Sequence, residues 1–407
     1  MRNFKEKFFD FINKFKKQRW LVLIFGNNGF EIRRVVFCPS SQKLKEKKPI
    51  RFLKVDEFSV FSKRIFKIIS KLLFFPFSYK VLTILPRKIC QSKYFTIQIE
   101  RKNCSDSIGV EQLASVFSQK LLPLLEANKK EFMKNNNYDD LDVLLVNNQI
   151  VDVLVDDKSL SNFDDLFSVV NGKISIGIVQ TFLYRGFFGA LKKAFPKRAT
   201  FKEFHEFGFY LPLSVLINFK DNYKKNKKIK RFIVVNVEEN ESLVFKFDGQ
   251  VLNYFDSFSF SRRSLYEALH HVIKIDFATF SQLLKKIIAD DLSPWVKKKI
   301  FLVLNKELAR LNNAIAAFKK ETKSQAFFIN GQNLNSFLKL YRRYNLWVVD
   351  NLASNCRFKA DVSDLTFSDE IKADILCSLG LNKKDRVNEL AIKQIRWLIP
   401  HDLDIKQ

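Results

Sequence analysis

Glycine is scarce in this chain, at 11 of 407 residues, and the shortage limits the chemistry open to it. A phosphate loop needs positions where backbone N–H groups reach a ligand with no side chain between them. Neither a GxxxxGK[ST] loop nor a GxSxG elbow occurs. Cysteine is sparse as well. Cys38, Cys90, Cys104, Cys356 and Cys377 lie far apart and form no CxxC pair. With four histidines, His205, His270, His271 and His401, no zinc spacing arises. Adjacent His270 and His271 point in different directions on a helix, so no metal is expected there. This cysteine usage suits a reducing cytoplasm. No apolar run approaches the roughly 20 residues that span a bilayer, and Met1-Arg2-Asn3-Phe4 lacks the apolar region of a signal peptide. The expectation is a cytoplasmic protein, peripheral to the inner face of the cell membrane.

What is plentiful is phenylalanine, with 44 residues, and positive charge: 70 Lys and Arg against 43 Asp and Glu, a formal net charge of +27. An apolar share of 47% argues for a packed globular protein, and the length allows two or three domains. The charge draws the chain toward polyanions, either nucleic acid or an anionic membrane. Lys, Asn, Phe and Ile are abundant together, as in products of AT-rich genomes, so charge alone selects no partner. No RRM-like aromatic motif, helix-turn-helix spacing or zinc knuckle is found, and specific nucleic-acid binding is not expected.

Residues 1–19 read as a basic amphipathic helix. Phe4, Phe8, Phe11 and Phe15 recur at helical spacing on one stripe, with Arg2, Lys5, Lys7, Lys14 and others around it. Such a helix suits a lipid interface, with the four phenylalanines as membrane-contact residues. It equally suits a leader packed on the protein body.

Leu21 to Phe25 then reads as a buried strand, turned by Gly26-Asn27-Asn28-Gly29, and Phe30 to Phe37 returns. Ser40 to Pro49 reads as a basic loop and Phe58 to Phe74 as an amphipathic helix closed by Pro76. A strand runs from Tyr79 to Leu85, stopped by Pro86. Tyr94 to Ile99 is a strand, Ile108 to Met133 a long helix. Strands at 141–146 and 150–155 are expected to be joined by Asn147-Asn148-Gln149, with another at 173–180. Asp139, Asp140, Asp156 and Asp157 read as turn and cap residues. Asp221 to Lys230 is a basic connecting loop. Beyond it, Phe232 to Val237 and Leu243 to Phe247 are strands. Asp248-Gly249 between alternating apolar runs marks a hairpin, with its return strand at 251–254 and a helix over 264–272. Helices follow at 277–289 and 294–318, then a strand at 326–329 ending in Asn330-Gly331, and a last short helix at 387–399.

This order resembles the actin-like ATPases, and more narrowly their FtsA and PilM branch. The resemblance implies a mixed α/β fold: two actin-like, ribonuclease H-like lobes around a cleft, with an inserted SHS2-like α+β module. Its segments would be 20–89 and 182–220 for the first lobe, 90–181 for the insert, 231–380 for the second lobe and 381–407 for a C-terminal helix and tail. It also implies a nucleotide cleft built from Gly26, Asn27, Asn28, Asn236, Ser242 and Gly331. The signatures of that cleft are eroded. Ile24 falls where relatives carry the aspartate that helps position magnesium. Asn236 replaces a second aspartate, and Glu238, Glu239 and Asn240 replace a glycine-rich turn. Phosphoryl transfer depends on positioning and charge stabilisation, so no catalytic residue is assigned, and the cofactor is none or weakly held ATP with magnesium. The implied role is an FtsA-like scaffold tethering the tail of an FtsZ-type cell-division partner to an anionic membrane surface, with self-association possible. Alternatives left open are a PilM-like platform binding a pilus-assembly peptide, a basic nucleic-acid-binding protein, and an active ATPase.

Overall fold

A computed structural model describes residues 18–26, 29–38, 41–54, 67, 70, 80–156, 158–160, 162–194, 201–210, 231–237, 241–248, 251–324, 326–331, 334, 337, 369–380 and 385–399. The four N-terminal phenylalanines and Asn27, Asn28, Glu238, Glu239 and Asn240 lie outside these residues, as does most of the expected helix at 58–74. The chain divides into two compact units, one of Met1–Asn218 with Leu352–Gln407 and one of Phe219–Asn351.

The first unit begins with a meander of β1 (Gln18–Gly26), β2 (Gly29–Cys38) and β3 (Lys43–Lys54). After β4 (Lys80–Leu85), the chain leaves for an inserted module, made of β5 (Cys90–Arg101), α1 (Val110–Asn136), β6 (Val143–Val155), β7 (Lys158–Ser159) and β8 (Gly172–Tyr184). Helix α2 (Arg185–Ala194) and β9 (Phe201–Glu206) return it to the first sheet. That sheet has the order β3-β2-β1-β4-β9, antiparallel across the meander and parallel from β1 to β4 and β4 to β9. Trp20 to Phe25 of β1 are all at most 5% exposed. A strand buried on both faces reads as an unbroken apolar run, and this one does.

The second unit repeats the pattern. It contains β10 (Arg231–Val237), β11 (Ser242–Asp248), β12 (Val251–Phe258), α3 (Arg262–Ile273), α4 (Phe277–Ala289), α5 (Pro294–Thr322) and β13 (Ala326–Gly331). Its sheet order is β12-β11-β10-β13, again antiparallel through the meander and parallel from the first strand to the fourth. The first four strands of the first sheet and the four of the second share one order and the same senses, a duplicated α/β pattern, with β9 added as a fifth strand in the first. The strands either side of Asp248-Gly249 pair antiparallel as the sequence predicts, with Asp248 opposite Val251.

The insert has its own sheet, β5-β8-β6-β7, under α1. Its core joins Phe117 and Leu121 of α1 to Ile150, Val153 and Ile174 to Ile178 of the strands. Helix α6 (Asp369–Gly380) and helix α7 (Arg386–Ile395) both belong to the first unit. The resemblance implies a second lobe running to residue 380, whereas α6 lies in the first unit. Val387 and Ala391 of α7 fill the insert's core and Ile395 that of the first lobe.

Two local expectations are corrected. The basic stretch at 40–49 is mostly strand: β3 pairs with β2 from Cys38↔Lys43 to Gly29↔Lys54. It is an edge strand, where Lys43 and Lys45 reach solvent while Leu44 packs inward. Asn147-Asn148-Gln149 makes no turn. β6 runs straight through, with register shifts between Leu145 and Asn147 and between Ile150 and Asp152. These bulges absorb an extra residue each and let the strand bend.

Candidate functional site

In the first unit, β1 stops at Gly26, which lies opposite Gly29 in the antiparallel hairpin. The residue two before it, Ile24, pairs with Glu31 on one side and Ile84 on the other. Its side chain is 5% exposed. An apolar group buried between strands supplies no ligand to magnesium, so this position is structural.

In the second unit, Asn236 pairs across the sheet with Leu243 and Asn330, and Val237 pairs with Ser242 and Gly331. The structure therefore brings three of the anticipated residues, Asn236, Ser242 and Gly331, to the carboxyl end of β10. Ser242 bonds within the fold there. It is fully buried, and its hydroxyl donates to the carbonyl of Phe260 at 2.7 Å. That bond ties the start of β11 to the entry of α3. Ser261 next to it caps α3, its Oγ accepting from the Ser264 amide at 3.0 Å.

His270 also has an ordinary explanation. His270 Nδ1 lies 2.6 Å from the carbonyl of Ile275, closing the end of α3. Among the described residues, no group of three or more His, Cys, Asp or Glu is placed to hold a metal ion.

A polar cluster that the sequence reading did not single out lies in the first unit. Glu203 and His205 alternate along β9, and α6 brings Asp374 and Ser378 over them. His205 Nε2 is 3.1 Å from Glu203 Oε1, and Nδ1 is 3.5 Å from Asp374 Oδ1. Ser378 Oγ sits 3.4 Å from Nε2, and the Tyr210 ring lies 4.4 Å from the imidazole. His205 and Asp374 are fully buried. Burial alone would lower the His205 pKa, but the carboxylates of Glu203 and Asp374 outweigh it and lift it to about 9. Burial raises Asp374 to about 6 against the pull of His205. Burial, with nearby thiol and carboxyl groups, pushes the Tyr210 phenol up. Next to it, Glu206 at the end of β9 accepts from the Ser92 amide at 2.5 Å, bonding the first lobe to the insert. A cluster this enclosed holds α6 to the sheet and offers no face to a substrate. Its sequence signal was slight: a run Phe201-Lys202-Glu203-Phe204-His205-Glu206, too polar for a buried strand unless something pairs with it.

A second polar row crosses the insert beneath α1. Asn148 of β6 and Lys93 of β5 both stand opposite Gln180 of β8. Asn128 of α1 donates to Gln180 Oε1 at 3.0 Å, and Lys93 pairs with Glu131. Gln180 is fully buried, so its bond from Asn128 fixes α1 against β8 at this point.

No family model matches the sequence, and no curated protein matches it. Solved structures do align over most of the chain. A PilM-PilN type IV pilus biogenesis complex shares 14% identity, covering 92% of this chain and 98% of that one, with a TM-score of 0.47. A Bacteroides thetaiotaomicron protein of actin-like ATPase fold and unknown function shares 12%, covering 79% and 96%, with a TM-score of 0.32. The ethanolamine utilization protein EutJ from Carboxydothermus hydrogenoformans shares 10%, covering 81% and 84%, at 0.31.

Proposed function

We propose that this chain is a non-catalytic actin-fold scaffold that holds a protein partner at the inner face of the cell membrane. The observation carrying this reading is Ile24. Where the resemblance places a magnesium-positioning aspartate, the chain has a side chain buried in the first lobe's central strand. Ser242 supports it, because its hydroxyl serves the fold. A protein that keeps two lobes and an inserted module while its phosphate-facing positions become core has kept a docking body. The net charge of +27 favours an anionic membrane as its location.

In one form of the proposal the partner is the tail of an FtsZ-type cell-division protein, and the insert is an SHS2-like partner-binding module. In the other, the chain is a PilM-like platform for type IV pilus assembly and receives a short peptide from an inner-membrane protein. Immobilised peptides of both kinds, offered to the full chain, separate the two. Calorimetric titration with ATP and magnesium tests what they share. No heat of binding is expected, or dissociation in the millimolar range or weaker. Micromolar binding with magnesium-dependent phosphate release would overturn the scaffold reading in favour of an ATPase.

A further inference from the structure

Helix α5 buries one face in the second unit's core through Ile300, Leu304, Leu308, Leu311 and Ile315. Its opposite face is not the polar surface such a helix ordinarily shows. Trp295 is 65% exposed and Leu302 64% exposed, one above the other at i and i+7. Exposed Lys298, Lys299, Lys306 and Arg310 surround them at i+3, i+4, i+11 and i+15 of the same stripe. Lys299 Nζ sits 4.3 Å from the centre of the indole. Over the roughly 22 Å from Trp295 to Arg310, the one acid is Glu307. It is buried and bonded by Arg310 Nη1 at 2.8 Å. In the turn before the helix, Asp290 is paired by Lys297, and Asp291 is the remaining acid.

The geometry points to this face of α5 as a contact for an anionic phospholipid surface. An indole and a leucine projecting from a single convex helix need a partner that yields around them, and the boundary between headgroups and acyl chains does. Lysine and arginine stems lie along apolar surface while their charged ends reach phosphate. The stripe shows cations and no free acid along its length, which complements an anionic leaflet. No described helix is long and apolar enough to cross a membrane, so the contact is peripheral. This deepens the membrane part of the proposed function and moves a contact into the folded second unit. It does not depend on which protein partner is held.

The test is sedimentation of the full chain with vesicles of phosphatidylcholine, with and without phosphatidylserine. Binding is expected only with phosphatidylserine and should weaken as salt rises. Each basic group near the surface is worth about fivefold in partitioning. Replacing Lys298, Lys299 and Lys306 together by alanine should therefore lower it on the order of 100-fold. W295A with L302A should lower it about tenfold or more. Because all five side chains are exposed, unchanged thermal unfolding is the expected control. Quenching of tryptophan emission by brominated lipid should shrink in W295F, leaving whatever the other three tryptophans, Trp20, Trp347 and Trp397, contribute. Undiminished binding in both α5 variants would overturn the inference. If Phe8→Ala with Phe11→Ala then abolished binding, the lipid contact would lie in the N-terminal segment, and the scaffold proposal would stand. Equal binding to vesicles lacking phosphatidylserine would also refute the α5 contact.

Discussion

The side-chain amide of Asn388 closes both main-chain hydrogen bonds of Ile150, 238 residues earlier in the chain. Its Oδ1 accepts from the Ile150 N–H at 2.7 Å, and its Nδ2 donates to the Ile150 carbonyl at 3.3 Å. An amide carries the same donor and acceptor as a peptide group, so α7 stands in for a neighbouring strand. β7 pairs only with Leu154 and Val155, leaving the edge of β6 at Ile150 for this substitute. Asp385 caps α7 and bonds the same amide at 2.8 Å, fixing its orientation.

Asn388→Ala should therefore cost about 2–3 kcal/mol, because two backbone groups of a buried strand lose their partner. Urea unfolding of the variant against the parent measures it. A loss below about 0.5 kcal/mol would mean that water replaces the amide at no cost.

The His205 cluster sets a pH dependence. Folding raises His205 from 6.5 to about 9 and Asp374 from 3.8 to about 6. Both groups bind protons more tightly in the folded state, so each loses stabilisation as pH rises. For Asp374 the loss falls between pH 3.8 and about 6, and for His205 between pH 6.5 and about 9. The Cys90 thiol, near Glu206 and Asp374, and Lys80, near Glu203, share this environment. Wild-type melting temperature should fall between pH 6.5 and 9 by the equivalent of about 2 kcal/mol. His205→Gln should be less stable at pH 6.5 and nearly flat across that window. Parallel pH profiles of the two proteins would contradict the assignment.

Gly177 is required by Tyr94. A Cβ at 177 would stand 2.3 Å from the tyrosine oxygen and 2.9 Å from the ring carbon bearing it. Gly177→Ala should destabilise by about 1–3 kcal/mol through overpacking. Adding Tyr94→Phe removes the closest clash and should recover part of that loss, which a thermal melt of the double variant reads directly.

Restoring the acid that the resemblance calls for should not restore nucleotide chemistry. Ile24→Asp puts a carboxylate between Ile84 and Glu31 with no cation assigned to it. A destabilisation of about 3–5 kcal/mol is expected, with loss of soluble protein as the simplest readout. A stable variant that gained ATP binding in calorimetry would show that the side chain can turn toward a ligand.

The duplicated lobes were legible because their strands are short-range objects. The apolar run from Leu21 to Phe25, the alternation along β10 and β11, and Asp248-Gly249 each declare themselves within a few residues. The isoleucine at position 24 was legible for the same reason, since one residue type at one strand position decides it. Ser242 was not. Its hydroxyl was available to a ligand on paper, and only the approach of Phe260 shows what it bonds.

By itself, the chain of residues determined where apolar faces fall, which segments become strands or helices, and the charge carried on the surface. Tertiary structure decided the rest. Edge position made a strand of the lysine-rich stretch after Cys38, and pairing with β8 carried β6 through a buried Asn148. Two C-terminal helices returned to the first unit, where Asp374 met His205 and Asn388 met Ile150. Those pairings join residues more than 160 positions apart. Their energies come from burial and hydrogen bonding that exist only once distant segments have been brought together, so no local pattern could encode them.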